Sequence, residues 1–214
     1  MKKFDEQIIG YQITEQIYEG HRTRVYRGCR ESDQTPVILK ILKSKYPSFN
    51  ELVLFRNQYT ITKNLELPGV ISPIALEAYH HGYMLVMLDQ GCISLQQYIS
   101  NIKAQLEPTQ PAQFPLDQFW AIAIQIVKIL EGLYQKRIIH KDIKPENILI
   151  HPATETIYLI DFSIASLLPK ETQEIQNPNH IEGTLAYIAS LNELQRLTSC
   201  DIIKFERKFS EIIC

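Results

Sequence analysis

The sequence predicts an α+β chain in two parts: a strand-rich first half built round one helix, then a mainly helical second half. Three observations carry this. From Tyr11 to Met87, short β-branched and aromatic runs alternate with polar turns. Inside that region Ser48–Leu65 repeats apolar residues at helical spacing, and beyond Gly91 the segment Leu116–Gln135 carries a long apolar stripe of helical period.

The strands expected in the first half are Gln12–Ile17, Val25–Arg30, Pro36–Leu42, Ile71–Glu77 and Tyr83–Met87, forming a small antiparallel sheet. In the helix between them, Leu52, Phe55, Tyr59 and Thr62 recur three and four residues apart and predict the buried side. In the second half Ser94–Ile99 reads as a short helix and Ala104–Pro115 as a Pro- and Gln-rich loop. Leu116–Gln135 reads as a core helix buried through Phe119, Ile122, Ile126, Ile129, Leu130 and Leu133. Two short strands, Ile148–Ile150 and Thr156–Ile160, flank a His-Pro-Ala-Thr-Glu turn, and Ser163–Asn179 is a long polar, mobile connection.

Composition narrows the function classes. The 214 residues are 45% hydrophobic with a net charge of −2, enough for a real core and too balanced for a nucleic-acid footprint or a polybasic membrane patch. Any phosphate binding must be local. Cys29, Cys92, Cys200 and Cys214 lie far apart, without zinc-ligand spacing, and read as reduced thiols. The charged N-terminus offers no signal peptide and no run of apolar residues is long enough to span a bilayer, so the expected setting is cytoplasmic, without membrane insertion or nucleic acid.

Chemistry concentrates in His140-Lys141-Asp142-Ile143-Lys144-Pro145-Glu146-Asn147, followed by Ile160-Asp161-Phe162-Ser163. Because these residues resemble those of a eukaryotic-type protein kinase, the chemistry to expect is phosphoryl transfer, which needs a carboxylate for the attacking hydroxyl, a cation near the moving phosphoryl group, and oxygen ligands for magnesium. Asp142, Lys144 and the pair Asn147 and Asp161 offer these in turn. The last two flank a strand hairpin that can return both oxygens to one point. An isolated His-x-Asp is usually an ordinary pair; eight residues in order, with Asp-Phe at the right distance, are not.

These segments resemble the catalytic loop and magnesium-binding segment of eukaryotic-type protein kinases, and Lys144 resembles the serine/threonine class. The resemblance implies a bilobal protein-kinase-like fold, an N-lobe of antiparallel sheet plus one helix over about residues 8–88 and a partial, mainly helical C-lobe over about 92–188. It also implies ATP and Mg2+ as cofactors and a protein substrate or signalling partner. Lys40, in Val37-Ile38-Leu39-Lys40, then pairs with the nucleotide's α and β phosphates, where a strand lysine alone would be a solvated edge charge. Ile38 stands where kinases usually carry Ala against the adenine, and Gln58 stands where they carry the Glu that pairs with the lysine. A glutamine can hydrogen-bond the ammonium without neutralising it, so the lysine should be less firmly held.

Of the three glycines in the phosphate loop only Gly20 remains, Tyr18 and Thr23 replacing the others, which implies looser nucleotide contact. His21, Arg22 and Arg24 are candidate compensating cations. Met87 takes the gatekeeper position, backbone groups of Leu88, Asp89 and Gln90 face the adenine, and Val25 and Leu149 close the pocket from above and below. Ser163 replaces the glycine of Asp-Phe-Gly. Gly183-Thr184-Leu185-Ala186-Tyr187 resembles the substrate-docking end of the activation segment, with Thr184 near Asp142 and Lys144.

The wording around these segments is similar to the N-terminal kinase domain of large cyanobacterial proteins that couple it to an ATPase module and a sensor histidine kinase. After Ile188 the resemblance stops: Ala189-Ser190-Leu191-Asn192-Glu193 replaces the expected Ala-Pro-Glu, and 189–214 reads as a divergent helical tail after a truncated C-lobe. Two readings follow. One is an ATP-dependent serine/threonine protein kinase. The other is a truncated pseudokinase that acts as a nucleotide- or protein-binding module, favoured by the lost glycines and Gln58.

Overall fold

The computed structural model describes residues 8–105 and 115–168. The expectations for Thr184 and its neighbours, for 106–114, for 169–179 and for the tail 189–214 lie outside them. The chain divides into two compact units, one comprising residues up to Leu65 together with Ile71–Gly91, the other Glu66–Val70 together with residues from Cys92 on.

The first unit is a five-stranded antiparallel sheet and one helix: β1 Tyr11–Glu19, β2 Thr23–Arg30, β3 Pro36–Leu42, α1 Phe49–Thr62, β4 Ala75–Tyr79 and β5 Gly82–Leu88, in spatial order β1-β2-β3-β5-β4. Side chains alternate across a pleated strand, so each strand divides its residues between two faces. Tyr26, Val37, Leu39, Ile41, Met84 and Val86 share one core with Ile8 and Tyr11. The register puts Val25 beside Lys40 and Lys40 beside Leu85, and puts Arg27 beside Ile38 and Ile38 beside Met87. These residues project from the opposite face.

The strand expected over Ile71–Glu77 begins instead at Ala75. Pro73 has no N–H to give a ladder, and only the Ile74 N–H anticipates the pairing, donating to Val86 O at 2.8 Å. Helix α1 starts behind a capping box in which the Ser48 hydroxyl accepts from Glu51 N and the Glu51 carboxylate accepts from Ser48 N. It stops at Thr62, three residues short of the expected end. Its buried positions are Phe55, Gln58 and Thr62, so a glutamine, not the expected Tyr59, takes the central inward place.

The second unit contains β6 Ile93–Ser94, α2 Leu95–Gln105, α3 Leu116–Gln135, β7 Ile138–Ile139, a 3-10 turn over Pro145–Asn147, β8 Ile148–Ile150, β9 Ile157–Leu159 and β10 Ser166–Leu167. Strands pair in the order β6-β8-β9, and β10 pairs with β7. Helix α2 runs past the expected Ile99 to Gln105, started by Ser94 Oγ, which accepts from Gln97 N at 3.1 Å. Helix α3 has the expected span, but Ala123 is buried and Leu130 only half-buried. The expected loop from Ser163 includes a short paired strand, because Ser166–Leu167 lies antiparallel to Ile138–Ile139 and Leu168 N donates to Arg137 O at 2.7 Å. Among the described residues no helix is long and apolar enough to cross a membrane.

Gly69 holds the start of this unit against α3. Its φ of +84° suits glycine, its carbonyl accepts from Leu159 N at 2.7 Å, and a Cβ would come within 2.4 Å of the Ile129 side chain. Gly69→Ala should therefore cost about 2–3 kcal/mol in urea unfolding, from left-handed strain plus overpacking. Gly10→Ala is the control: the same φ in open space should cost only about 1 kcal/mol. Equal losses would show that Ile129 moves aside freely.

Candidate active site

In the first unit Lys40 lies on β3 with only 9% of its surface exposed, and its ammonium donates to Gln58 Oε1 at 2.9 Å. Gln58 is itself 2% exposed. Alternation on β3 turns Lys40 away from the core shared by Val37, Leu39 and Ile41, and Gln58 lies on the buried side of α1 with Phe55 and Thr62. A neutral amide orients the ammonium with a weaker bond than a carboxylate would. Val25 and Ile38 share the Lys40 face, Met87 is buried on β5, and Leu88 is exposed at the strand's end. Asp89 N donates to Pro36 O at 3.1 Å, extending the ladder one residue.

The β1–β2 turn closes through Gly20 N donating to Thr23 O at 2.9 Å. The Tyr18 ring folds over Gly20 so closely that a Cβ there would lie 2.5 Å from the Tyr18 hydroxyl. Glu19 accepts from Lys43 at 2.7 Å and from Arg24 at 3.3 Å, and Lys43 first, then Gln16 and Arg24, hold its carboxyl down at about 2. Arg24, a candidate compensating cation, is thus engaged by a carboxylate of its own hairpin; His21 and Arg22 are exposed.

In the second unit His140 is the anchor. It is 3% exposed, its Nε2–H donates to Ile160 O at 2.9 Å, and its Nδ1 accepts from Asp142 N at 3.2 Å. Those two bonds specify one neutral tautomer. Burial pushes the ring's pKa below its ordinary value, against the opposing pull of the Ile160 carbonyl and the Asp161 and Asp142 carboxylates. The ring also meets Phe162 edge to face, centroids 4.5 Å apart.

Asp142 is held from two sides. Its Oδ2 accepts from Lys144 Nζ at 2.8 Å and from Asn147 Nδ2 at 2.9 Å, and Asn147 Nδ2 also donates to the Asp142 carbonyl at 2.9 Å. Partial burial works to lower the Lys144 pKa, but the hydrogen bond and charge of Asp142, then Glu146 and Asp161, outweigh it and raise the ammonium above its ordinary value. Ile160 N donates to Asn147 O at 3.0 Å, joining the loop to the Asp161 segment. Lys141 and Asp161 both take positive φ, +70° and +65°. Asp161 Oδ1 is buried and receives no hydrogen bond, although other atoms of the residue interact with neighbours. Leu149 is half-buried on β8 opposite Ser94 and Tyr158.

The structure thus brings Asp142, Lys144 and Asn147 together, with Asp161 next to Ile160, whose amide and carbonyl bond Asn147 and His140. Separately it brings Lys40 to Gln58. The donor set suits magnesium: Asn147 and Asp161 supply hard oxygens, and a buried carboxylate oxygen without a hydrogen-bond donor is the atom a cation satisfies. Sequence reasoning missed Arg27, which donates to both Asp89 and Glu15. The available signal was an arginine two residues from Val25, and so on the same face of the strand.

This architecture and catalytic loop define a protein kinase. The protein kinase domain family matches residues 11–201, and the chain belongs to it. Among its relatives, serine/threonine-protein kinase PrkC of Bacillus subtilis is 31% identical over 182 residues, covering 84% of this chain and 26% of the relative. Serine/threonine-protein kinase TIO of Arabidopsis thaliana is 29% identical over 180 residues, 84% of this chain and 12% of the relative. Serine/threonine-protein kinase 36 of Mus musculus is 28% identical over 179 residues with the same shares. The chain therefore spans an eighth to a quarter of the length of these relatives.

Asn147 is buried between partners, so its loss should be felt in stability. Asn147→Leu removes both donors to Asp142 and should lower unfolding free energy by about 1–3 kcal/mol in urea titration. A change below about 0.5 kcal/mol would mean the two bonds are dispensable to the loop.

Proposed function

We propose that the chain transfers the γ-phosphoryl group of magnesium ATP to a serine or threonine hydroxyl of a protein. The observation that carries this is the Asp142 carboxylate, fixed by Lys144 and Asn147 in a loop whose origin is the buried His140. Asp142 accepts the proton of the attacking hydroxyl, and Lys144, ion-paired to it, supplies positive charge beside the transferring group. Magnesium, when bound, neutralises charge on the phosphates, and Asn147 and Asp161 are its ligands in this chain. Lys40, oriented by Gln58, binds the α and β phosphates, with the backbone at Gly20 above them. Val25, Ile38, Met87 and Leu149 wall the adenine, whose edge meets the backbone of Leu88, Asp89 and Gln90. The kinase resemblance assigns Thr184 to the substrate side of the site. Residues 1–188 form the kinase domain, its lobes at about 8–88 and 92–188, acting on a protein partner in the cytoplasm.

A second reading, a nucleotide- or protein-binding module without turnover, draws on two observations: a neutral amide, Gln58, bonded to Lys40, and the Tyr18 ring packed over Gly20. Both weaken the phosphate half of the site and leave the Asp142 half intact.

Two substitutions separate the roles. Asp142→Asn should lower phosphate transfer by about 100-fold or more with ATP affinity nearly unchanged, because the base acts in the transition state. Asp161→Asn should remove the magnesium dependence of ATP binding, read by calorimetry with and without the metal. Equal losses of rate and affinity in the first variant, or surviving magnesium dependence in the second, would overturn the assignments. Binding of magnesium ATP without any wild-type transfer selects the second reading.

A further inference from the structure

Arg27 lies two residues along β2 from Val25 and therefore projects from the same sheet face as Val25, Ile38 and Lys40. Its guanidinium reaches in two directions. Nε donates to Asp89 Oδ2 at 2.7 Å and Nη1 to Glu15 Oε2 at 2.7 Å, so one side chain ties β1 and β2 to the segment that follows β5. The Asp89 side chain is only 12% exposed in this pair, against 31% for Arg27. The other Asp89 oxygen, Oδ1, accepts from Gly91 N at 2.9 Å, and Asp89 N donates to Pro36 O. Gly91 itself takes a positive φ of +66° as the chain turns away.

Asp89 is thus fixed at three atoms, and with it the backbone from Leu88 to Gly91. Two of those attachments belong to the segment and to β3. The third comes from Arg27, the only one of the three that carries a charge-assisted bond from another strand. An ammonium in place of the guanidinium is a single point charge and lacks two divergent planar N–H donors for two carboxylates. A β-strand residue of this kind has no reason to be arginine for core packing, since the face it occupies is the one turned away from the Tyr26 and Leu39 core.

We propose that Arg27 is a positioning residue for the base of the nucleotide: through Asp89 it holds the Leu88–Gln90 backbone in the orientation that meets the adenine edge. This rests on the nucleotide reading above and adds to it a residue that touches neither base nor phosphate. Because Arg27 acts at the base end of the ligand while Lys40 acts at the phosphate end, the two contributions separate by choice of ligand.

The experiment compares magnesium ATP with inorganic tripolyphosphate, which carries the phosphates and no base, by calorimetry on the full chain. Arg27→Met should weaken ATP about tenfold, the scale of one lost charge-assisted bond, and leave tripolyphosphate within about twofold. In the nucleotide-free variant the amides of Asp89 and Gly91 should exchange hydrogen faster than in the wild type. Arg27→Lys serves as a second variant should the first fold poorly, and should weaken ATP by an intermediate amount. Equal weakening of both ligands would show general loosening and overturn the proposal, as would unchanged ATP affinity with faster exchange. Failure of the wild-type chain to bind either ligand overturns the nucleotide reading, and the proposal with it; the exchange result then stands alone as a structural clamp.

Discussion

The arrangement of Asp142, Lys144, Asn147 and Asp161 depends on a buried imidazole remaining neutral. His140 donates through one ring nitrogen to Ile160 and accepts through the other from the backbone of Asp142, so it spans the start of the catalytic loop and the strand end that delivers Asp161. A proton on Nδ1 would set two donors face to face and place a charge where water is excluded. The positive φ at Lys141 and at Asp161, each costing on the order of 1–3 kcal/mol, bracket this imidazole and are tolerated because the ring, Phe162 and the Asn147 backbone over-determine the local path.

Much of this was legible in the sequence. The spans of β3, β8 and α3 follow directly from β-branched runs and a helical stripe, and the order of residues from His140 to Asn147 named the loop before its geometry was known. What the sequence concealed has specific physical causes. Periodicity assigned the inward place on α1 to Tyr59 because apolar residues are the ones periodicity counts. The place belongs to Gln58, which the kinase resemblance, unlike periodicity, sets against the Lys40 ammonium, and the two are bonded. Pro73 lies within an apolar run that reads as strand, and only the ladder shows that pairing waits until Ala75. The two-residue strands β7 and β10 have no pattern of their own and exist through each other. The linkage of Arg27 to Asp89 joins residues 62 positions apart, a pairing no local pattern announces.

Within the family the chain belongs to, its two units carry different departures. In the second, Asp142, Lys144 and Asn147 are bound into one network of short bonds. In the first, the neutral Oε1 of Gln58 accepts from the Lys40 ammonium and the Tyr18 ring packs over Gly20. On the proposed function, these features would act on ground-state binding of phosphate, whereas Asp142 would act on the hydroxyl in the transition state.

The most direct test of this account is the state of the His140 ring, read from its two nitrogen-15 resonances during an acid titration of the folded chain. The account predicts one protonated nitrogen, Nε2, and one bare nitrogen, Nδ1, persisting as the pH falls through the ordinary imidazole value of 6.5, since burial holds the ring's pKa below it. A ring that takes up its second proton near 6.5 in the folded chain, or that carries its proton on Nδ1, would contradict the claim that a neutral His140 fixes the catalytic loop.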